Sequence, residues 1–365
     1  MASCPAILNG LEKSSKTFAT TTPSNILNIS PSAMKRAVTF GEIMMRLATP
    51  GFQRFLQARS LEVTYGGGEA NVAVTLAQLG IPARHVTCFP DNDLGKAAAA
   101  FYRQHSVDFD HTVYQGQRLG LYFLEVGAGM RPSRIVYDRF DSAFAQLDPH
   151  WFDWQKLLSD ANWFHWTGIT PAISANAAEA CLQALKVARE KGIPISADVN
   201  YRRNLWQYGK SVRQVMPELV TYCDVLVCTE GDAADIFDLK VEGFNDMAEQ
   251  MLALFPNAQC VIATRRDTLS ASHNRLTGLS YHRENGYSET ETFDLNPIVD
   301  RIGGGDAFMG GYIYGKLSGQ SEKEALRFAT AASALKHLVE GDFSQTNVAE
   351  IEQILAGDVS GRLLR

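Results

Sequence analysis

From Ala37 onward the chain alternates short apolar runs with longer amphipathic stretches. Ala37–Met44 reads as a strand, and Glu69–Leu79 (EANVAVTLAQL) as a helix stopped by Gly80, a common helix-ending residue. His85–Phe89 predicts a second strand and Leu94–His105 a second helix. Trp163–Thr167 and Pro194–Val199 have strand character on either side of a helical stretch, Ser174–Lys191, that ends at Gly192. Asp224–Cys228, Val241–Phe255 and Cys260–Thr264 then repeat strand, helix, strand. Strands separated by helices of this length need crossover connections. Right-handed crossovers build an α/β, doubly wound, mostly parallel sheet flanked by helices.

Two stretches break the alternation. Arg46–Tyr65 carries no helical period, and Leu119–Arg139 reads as two strands around a turn at Gly127-Ala128-Gly129. Inserted at about 46–66 and 118–140, they predict a small β-sheet lid over the strand C-termini, where open α/β sheets bind ligands. Residues 34–365 are therefore read as one domain. Residues 1–33 are Ser/Thr-rich, lack arginine and follow neither period. They read as a disordered or spurious extension, with a transit peptide as the other reading.

Composition narrows the function classes. A formal net charge of -6 speaks against a nucleic-acid surface, and no apolar run approaches the roughly 18 residues of a membrane span. The six cysteines form no Cys-x-x-Cys pair and the eight histidines no metal-binding cluster. Buried thiols in a reducing, cytoplasmic setting are the expectation.

One segment has chemistry of its own: Asp300-Arg301-Ile302-Gly303-Gly304-Gly305-Asp306, followed by an apolar helix. It lacks the lysine of a P-loop and the spacing of a dinucleotide fingerprint. Glycines before a helix still let backbone N–H groups converge on an anion, reinforced by the helix dipole. By itself the segment is equally a glycine turn with Asp306 as helix N-cap.

Other blocks extend the pattern: Tyr65-Gly66-Gly67-Gly68-Glu69-Ala70-Asn71, Pro90-Asp91-Asn92-Asp93-Leu94-Gly95, Trp166–Pro171 and Asp198-Val199-Asn200-Tyr201-Arg202. With the glycine segment, and in this order, they resemble the signatures of the PfkB, or ribokinase-like, carbohydrate kinases. The branch acting on 2-keto-3-deoxygluconate is the most similar. The resemblance implies a cytoplasmic, ATP- and Mg²⁺-dependent kinase that phosphorylates the terminal hydroxyl of a sugar acid. It also implies a homodimer formed through the lid.

The same resemblance assigns residues. Asp306 would be the catalytic base, ionised at neutral pH beside its helix start, with Gly303, Gly304 and Gly305 as the anion hole. Gly66, Gly67 and Asn71 would meet the sugar hydroxyls, and Asn71 would offer both a donor and an acceptor. Tyr122 and Tyr137 would close over the sugar, with Arg202 and Arg139 on its carboxylate. For the nucleotide, Gly303 and Gly305 would be joined by Thr229, Thr264, Arg266 and Thr268, and Asp232 would reach Mg²⁺ through water. Three departures stand out. Arg301 replaces a usual threonine, Thr229–Asp232 replaces Asn-x-x-Glu, and the nucleotide loop Thr264–Ser270 contains no glycine. The alternatives are a kinase for fructose, another ketose or a nucleoside on this fold, or a non-catalytic sugar-binding regulator.

Overall fold

The computed structural model describes residues 35–357; the expected extension at 1–33 lies outside the described residues. Its main element is a ten-stranded sheet. Strand Arg36–Phe40 lies inside that sheet, paired in parallel with Ala83–Val86 on one side and Ala161–Thr167 on the other. The chain first builds outward through Ala83–Val86 to Val107–Asp108. It then returns to Ala161–Thr167 and builds the other way through Ile195–Asp198, Val225–Val227 and Cys260–Ser270, all parallel. Winding therefore reverses between Arg36–Phe40 and Ala161–Thr167. Such a reversal leaves a crevice at the strand C-termini, because the two flanking connections leave in opposite directions.

Beyond Cys260–Ser270 the sheet turns antiparallel, through His273–His282 to Gly286–Glu289 and Phe293–Leu295. The predicted nucleotide loop is thus corrected: Thr264–Ser270 is the outer part of a long hairpin strand. With no glycine to break it, the segment keeps pairing, Thr264 opposite Gly278 and Thr268 opposite Asn274.

The predicted strand Ala37–Met44 is two strands. Arg36–Phe40 belongs to the core, and Met44–Ala48 leaves it for a separate four-stranded sheet with Glu62–Gly66, Gly120–Glu125 and Arg134–Asp138. Gly41 permits the break, since a Cβ there would lie 2.2 Å from Glu69 Oε2. This second sheet is the expected lid.

Two helices bring their first turns to the crevice. Helix Gly68–Gln78 follows the last residue of lid strand Glu62–Gly66, and helix Gly304–Leu317 follows the glycine turn. They pack closely because Gly310 faces Thr75; a Cβ on Gly310 would sit 2.6 Å from Thr75 Cγ2. Helix Glu322–Lys336 covers the other side of Gly304–Leu317, with Gly311 against the backbone of Ala329. Gly310→Val should destabilise the fold by about 1–3 kcal/mol through overpacking. Urea unfolding would test this, and an unchanged midpoint would contradict the close-packed helix pair.

Candidate active site

The crevice under the lid is a cavity of about 390 Å³. Its floor is the start of helix Gly304–Leu317. Gly303 is the N-cap, at φ +81, in the left-handed region that glycine tolerates best. A side chain there would also collide with the Asp342 carbonyl, since its Cβ would come within 1.6 Å. Asp306 is therefore no cap but the third helical residue, which corrects one reading of the sequence. The first N–H groups of the helix have no intrahelical acceptor and open on the cavity. Beside Gly305 there is open space: a Cβ would meet nothing within 4 Å.

Asn71, in the first turn of the neighbouring helix, donates from Nδ2 to Asp306 Oδ2 at 2.7 Å and accepts from Gly67 N at 3.4 Å. Both ends of its amide are therefore engaged within the protein, and it orients Asp306. Burial pushes the Asp306 carboxyl up to about 7, while the Asn71 hydrogen bond works the other way. This revises the expectation of a carboxylate held ionised by the helix dipole: loss of hydration outweighs it. Asp198, at the end of its strand, is raised to about 8 by burial and by the charges of Asp232 and Asp306. Such carboxyls exchange protons near neutrality, as a general base requires.

Arginines line the rest. Arg139 is buried, with Nε and Nη2 donating to Glu42 Oε2 at 2.8 and 2.5 Å, while Ser142 donates to the other Glu42 oxygen. Arg202 faces Asp198 and Asp306, and its charge favours ionisation of both. Among the described residues the Arg202 and Arg266 guanidiniums have no hydrogen-bond or ion-pair partner. From the lid, Tyr122 donates its hydroxyl to Asp342 Oδ2. The Tyr137 ring lies 6.1 Å from that of Tyr122 and 5.9 Å from the Arg139 guanidinium carbon. Asp342 also accepts from Arg46 Nη1 at 2.5 Å, while Arg46 Nη2 reaches Asp300 at 2.8 Å.

A family model described as "pfkB family carbohydrate kinase" matches residues 34–346. The chain belongs to the PfkB family of carbohydrate kinases. A 2-dehydro-3-deoxygalactonokinase of Haloferax volcanii is 34% identical over 89% of this chain and 98% of its own length. The crystal structure of 2-dehydro-3-deoxygluconokinase from Thermotoga maritima superposes with a TM-score of 0.84. It is 41% identical, covering 88% of this chain and 100% of that one. A PfkB-family carbohydrate kinase from Listeria grayi gives the same TM-score at 36% identity, covering 88% of this chain and all of its own.

In this PfkB kinase the cavity gathers most of the residues marked in the sequence. Gly303, Gly304, Gly305 and Asp306 form its floor, and Gly66, Gly67 and Asn71 one wall. Tyr122, Tyr137 and Arg139 come from the lid side, Arg202 and Arg266 from the sheet side. Thr229, Thr264, Thr268 and Asp232 do not line it. Thr229 caps helix Glu230–Phe237, and Asp232 closes the same capping box by accepting from Thr229 N at 3.3 Å, while also accepting from Tyr201 N. Thr264 and Thr268 alternate with Arg266 along one face of the hairpin strand. Sequence reasoning gave no role to Asp342, Asp198 or Arg46. Asp198 at least opens a block already singled out, whereas Asp342 follows only an unremarkable Glu340-Gly341.

The raised carboxyl predicts a pH dependence. If Asp306 is the base, it accepts protons only when ionised, so kcat/KM should fall about tenfold per pH unit below about 7. Asn71→Ala removes a bond that favours the ionised form, so the limb should move to higher pH, by about one unit or more. A pH–rate profile unchanged by Asn71→Ala would contradict this assignment.

Proposed function

We propose that this kinase transfers the γ-phosphoryl group of ATP to the terminal hydroxyl of a 2-keto-3-deoxy sugar acid, with 2-keto-3-deoxygluconate as the first candidate. One observation carries the reading: the unpaired Arg202 guanidinium shares a single cavity with Asp306 and the glycine turn. A planar cation suits a carboxylate at one end of the substrate, while a base and an anion hole meet a hydroxyl at the other. The relatives that act on the gluco and galacto acids support the same substrate class.

In this reading the hydroxyl oxygen attacks the γ-phosphorus, the bond to the β-phosphate oxygen breaks, and the hydroxyl proton passes to Asp306. The N–H groups of the Gly303–Gly305 turn hold the charge of the phosphoryl group in transfer, where positioning and electrostatics supply most of the catalysis. Arg139, tied to Glu42, and Tyr137 bound the sugar end beneath the lid.

Mg²⁺ would accompany the nucleotide and neutralise phosphate charge. Among the described residues no group of three or more His, Cys, Asp or Glu side chains is arranged to hold a metal. An ion that leans on substrate phosphates and keeps its waters needs only one or two carboxylates. Asp198, which lines the cavity, would receive it, with Asp232 behind reaching it only through water.

The lid supports a homodimer as well. Val63, Leu47, Phe123 and Val136 stand opposite one another across all four strands, on the face away from Tyr122. Val63 and Val136 are about half exposed, at 54% each. A second lid would cover this row. Solution scattering at micromolar concentration should give a dimer mass that Val136→Asp halves; a monomeric wild-type mass would exclude it.

The substrate is tested by coupled ADP release across a sugar panel. Turnover is expected on the gluco and galacto keto-deoxy acids. Activity on ribose, fructose or a nucleoside, with none on the acids, would overturn the class. Asp306→Asn should lower kcat by about 10²–10⁴-fold. Arg202→Ala should raise KM for the acid by about 10–100-fold with kcat little changed.

A further inference from the structure

The cavity is electrostatically lopsided at its nucleotide end. Arg266 projects from the hairpin strand Cys260–Ser270 and Arg301 from the segment before the glycine turn, and both line the cavity beside Gly303–Gly305. Arg301 is anchored to the tip of the same hairpin. Its Nε donates to Ala271 O at 3.0 Å, and its Nη2 to Ser270 O at 2.6 Å and Asn274 Oδ1 at 3.0 Å. All of these acceptors are neutral, and Nη1 has no partner among the described residues. Arg266 has none at all. The two guanidiniums oppose each other: burial and the Arg301 charge both lower the Arg266 pKa.

The acids around this end are otherwise engaged. Asp300 and Asp342 are committed to Arg46, and Asp306 is held by Asn71, with burial raising its carboxyl to about 7. His337, packed under Gly304, has its pKa lowered to about 4 by burial and so is neutral. Lys336 adds another cation, its ammonium donating to Val339 O. The helix start contributes partial positive charge at the same place. Two like-charged groups facing one cavity, neither with an ion-pair partner among the described residues, make a site for a multiply charged anion.

We propose that Arg266 and Arg301 form a clamp for the non-transferred phosphates of the donor, so that in this chain two guanidiniums grip what a glycine loop would otherwise cradle. The clamp rests on the kinase reading for the identity of its phosphates, and not on which sugar is phosphorylated. It accounts for both departures in this region. A threonine at position 301 could not reach the hairpin tip, and a strand without glycine offers no converging N–H groups to phosphate. The hairpin anchor holds the Arg301 plane still, so that Nη1 is presented with little entropy left to lose on binding.

The test uses the full chain and inorganic tripolyphosphate, titrated by calorimetry without sugar or nucleotide, and ADP in a second series. Wild type should bind both. Arg266→Ala, which orphans no protein partner, should weaken both by about tenfold or more, as expected for one charge-assisted contact. It should raise KM for ATP in parallel and leave KM for the sugar acid within about twofold. Arg301→Lys keeps the charge but loses the fork, and should weaken tripolyphosphate as well; Arg202→Ala should not. The clamp is overturned if wild type does not bind tripolyphosphate. It is equally overturned if Arg266→Ala binds as wild type does, or if only Arg202→Ala reduces binding. Since no sugar is present, failure of the substrate assignment leaves this titration intact. Normal turnover of the keto-deoxy acid with an unaltered KM for ATP in Arg266→Ala would remove the clamp alone.

Discussion

Arg46 holds the active site together. It belongs to the lid, yet its guanidinium is buried on the floor of the core, paired with Asp300 and Asp342. Burial works against its charge, but the two carboxylates hold its pKa above the ordinary value. Each acid does a second job. Asp300 accepts from the Ile302 and Gly341 N–H groups, fixing the segment that runs into the glycine turn. Asp342 takes the Tyr122 hydroxyl, and its own carbonyl closes over Gly303. One arginine thereby joins a lid strand, the anion-binding turn and the loop after helix Glu322–Lys336. Buried ion pairs add little net stability, but losing one partner is costly, so their main effect is to enforce one geometry.

That commitment shapes the electrostatics of the whole cavity. With Asp300 and Asp342 taken up by Arg46, Glu42 by Arg139 and Glu69 by Thr167 and Thr170, few buried acids among the described residues remain to neutralise Arg202, Arg266 and Arg301. Asp198 and Asp306 are the exceptions, and burial raises both towards neutrality. The cavity thus brings together guanidiniums without an ion-pair partner among the described residues and carboxyls that exchange protons near neutrality. An anionic acceptor and an anionic donor would each find a counter-charge without displacing a protein partner. The chain's formal charge of -6 gives no hint of this, because net charge says nothing about where charges lie.

Much of the architecture was legible because its signals are local. Alternating apolar runs predicted the parallel sheet, and the two stretches that broke the alternation became the lid. The glycine turn was found for the same reason, since helix starts are written in a few adjacent residues. Errors arose where distant contacts decide. Gly41 splits the first strand because Glu69 presses against it. Thr264–Ser270 stays extended because His273–His282 pairs with it along its length. Thr229 and Asp232, by contrast, satisfy each other locally in a capping box that their spacing already permitted.

The sequence by itself determined the fold class, the family signatures and the position of the glycine-led helix start at Gly303–Asp306, all of which depend on periodicity or on neighbours in the chain. Only the tertiary structure decided the chemical state and the partners of the groups at that site. Asp306 owes its raised pKa to burial and its orientation to Asn71, 235 positions away; Arg46 meets Asp342 across 296. Hydration and pairing are properties of surroundings that the folded chain assembles. No window along the sequence contains them.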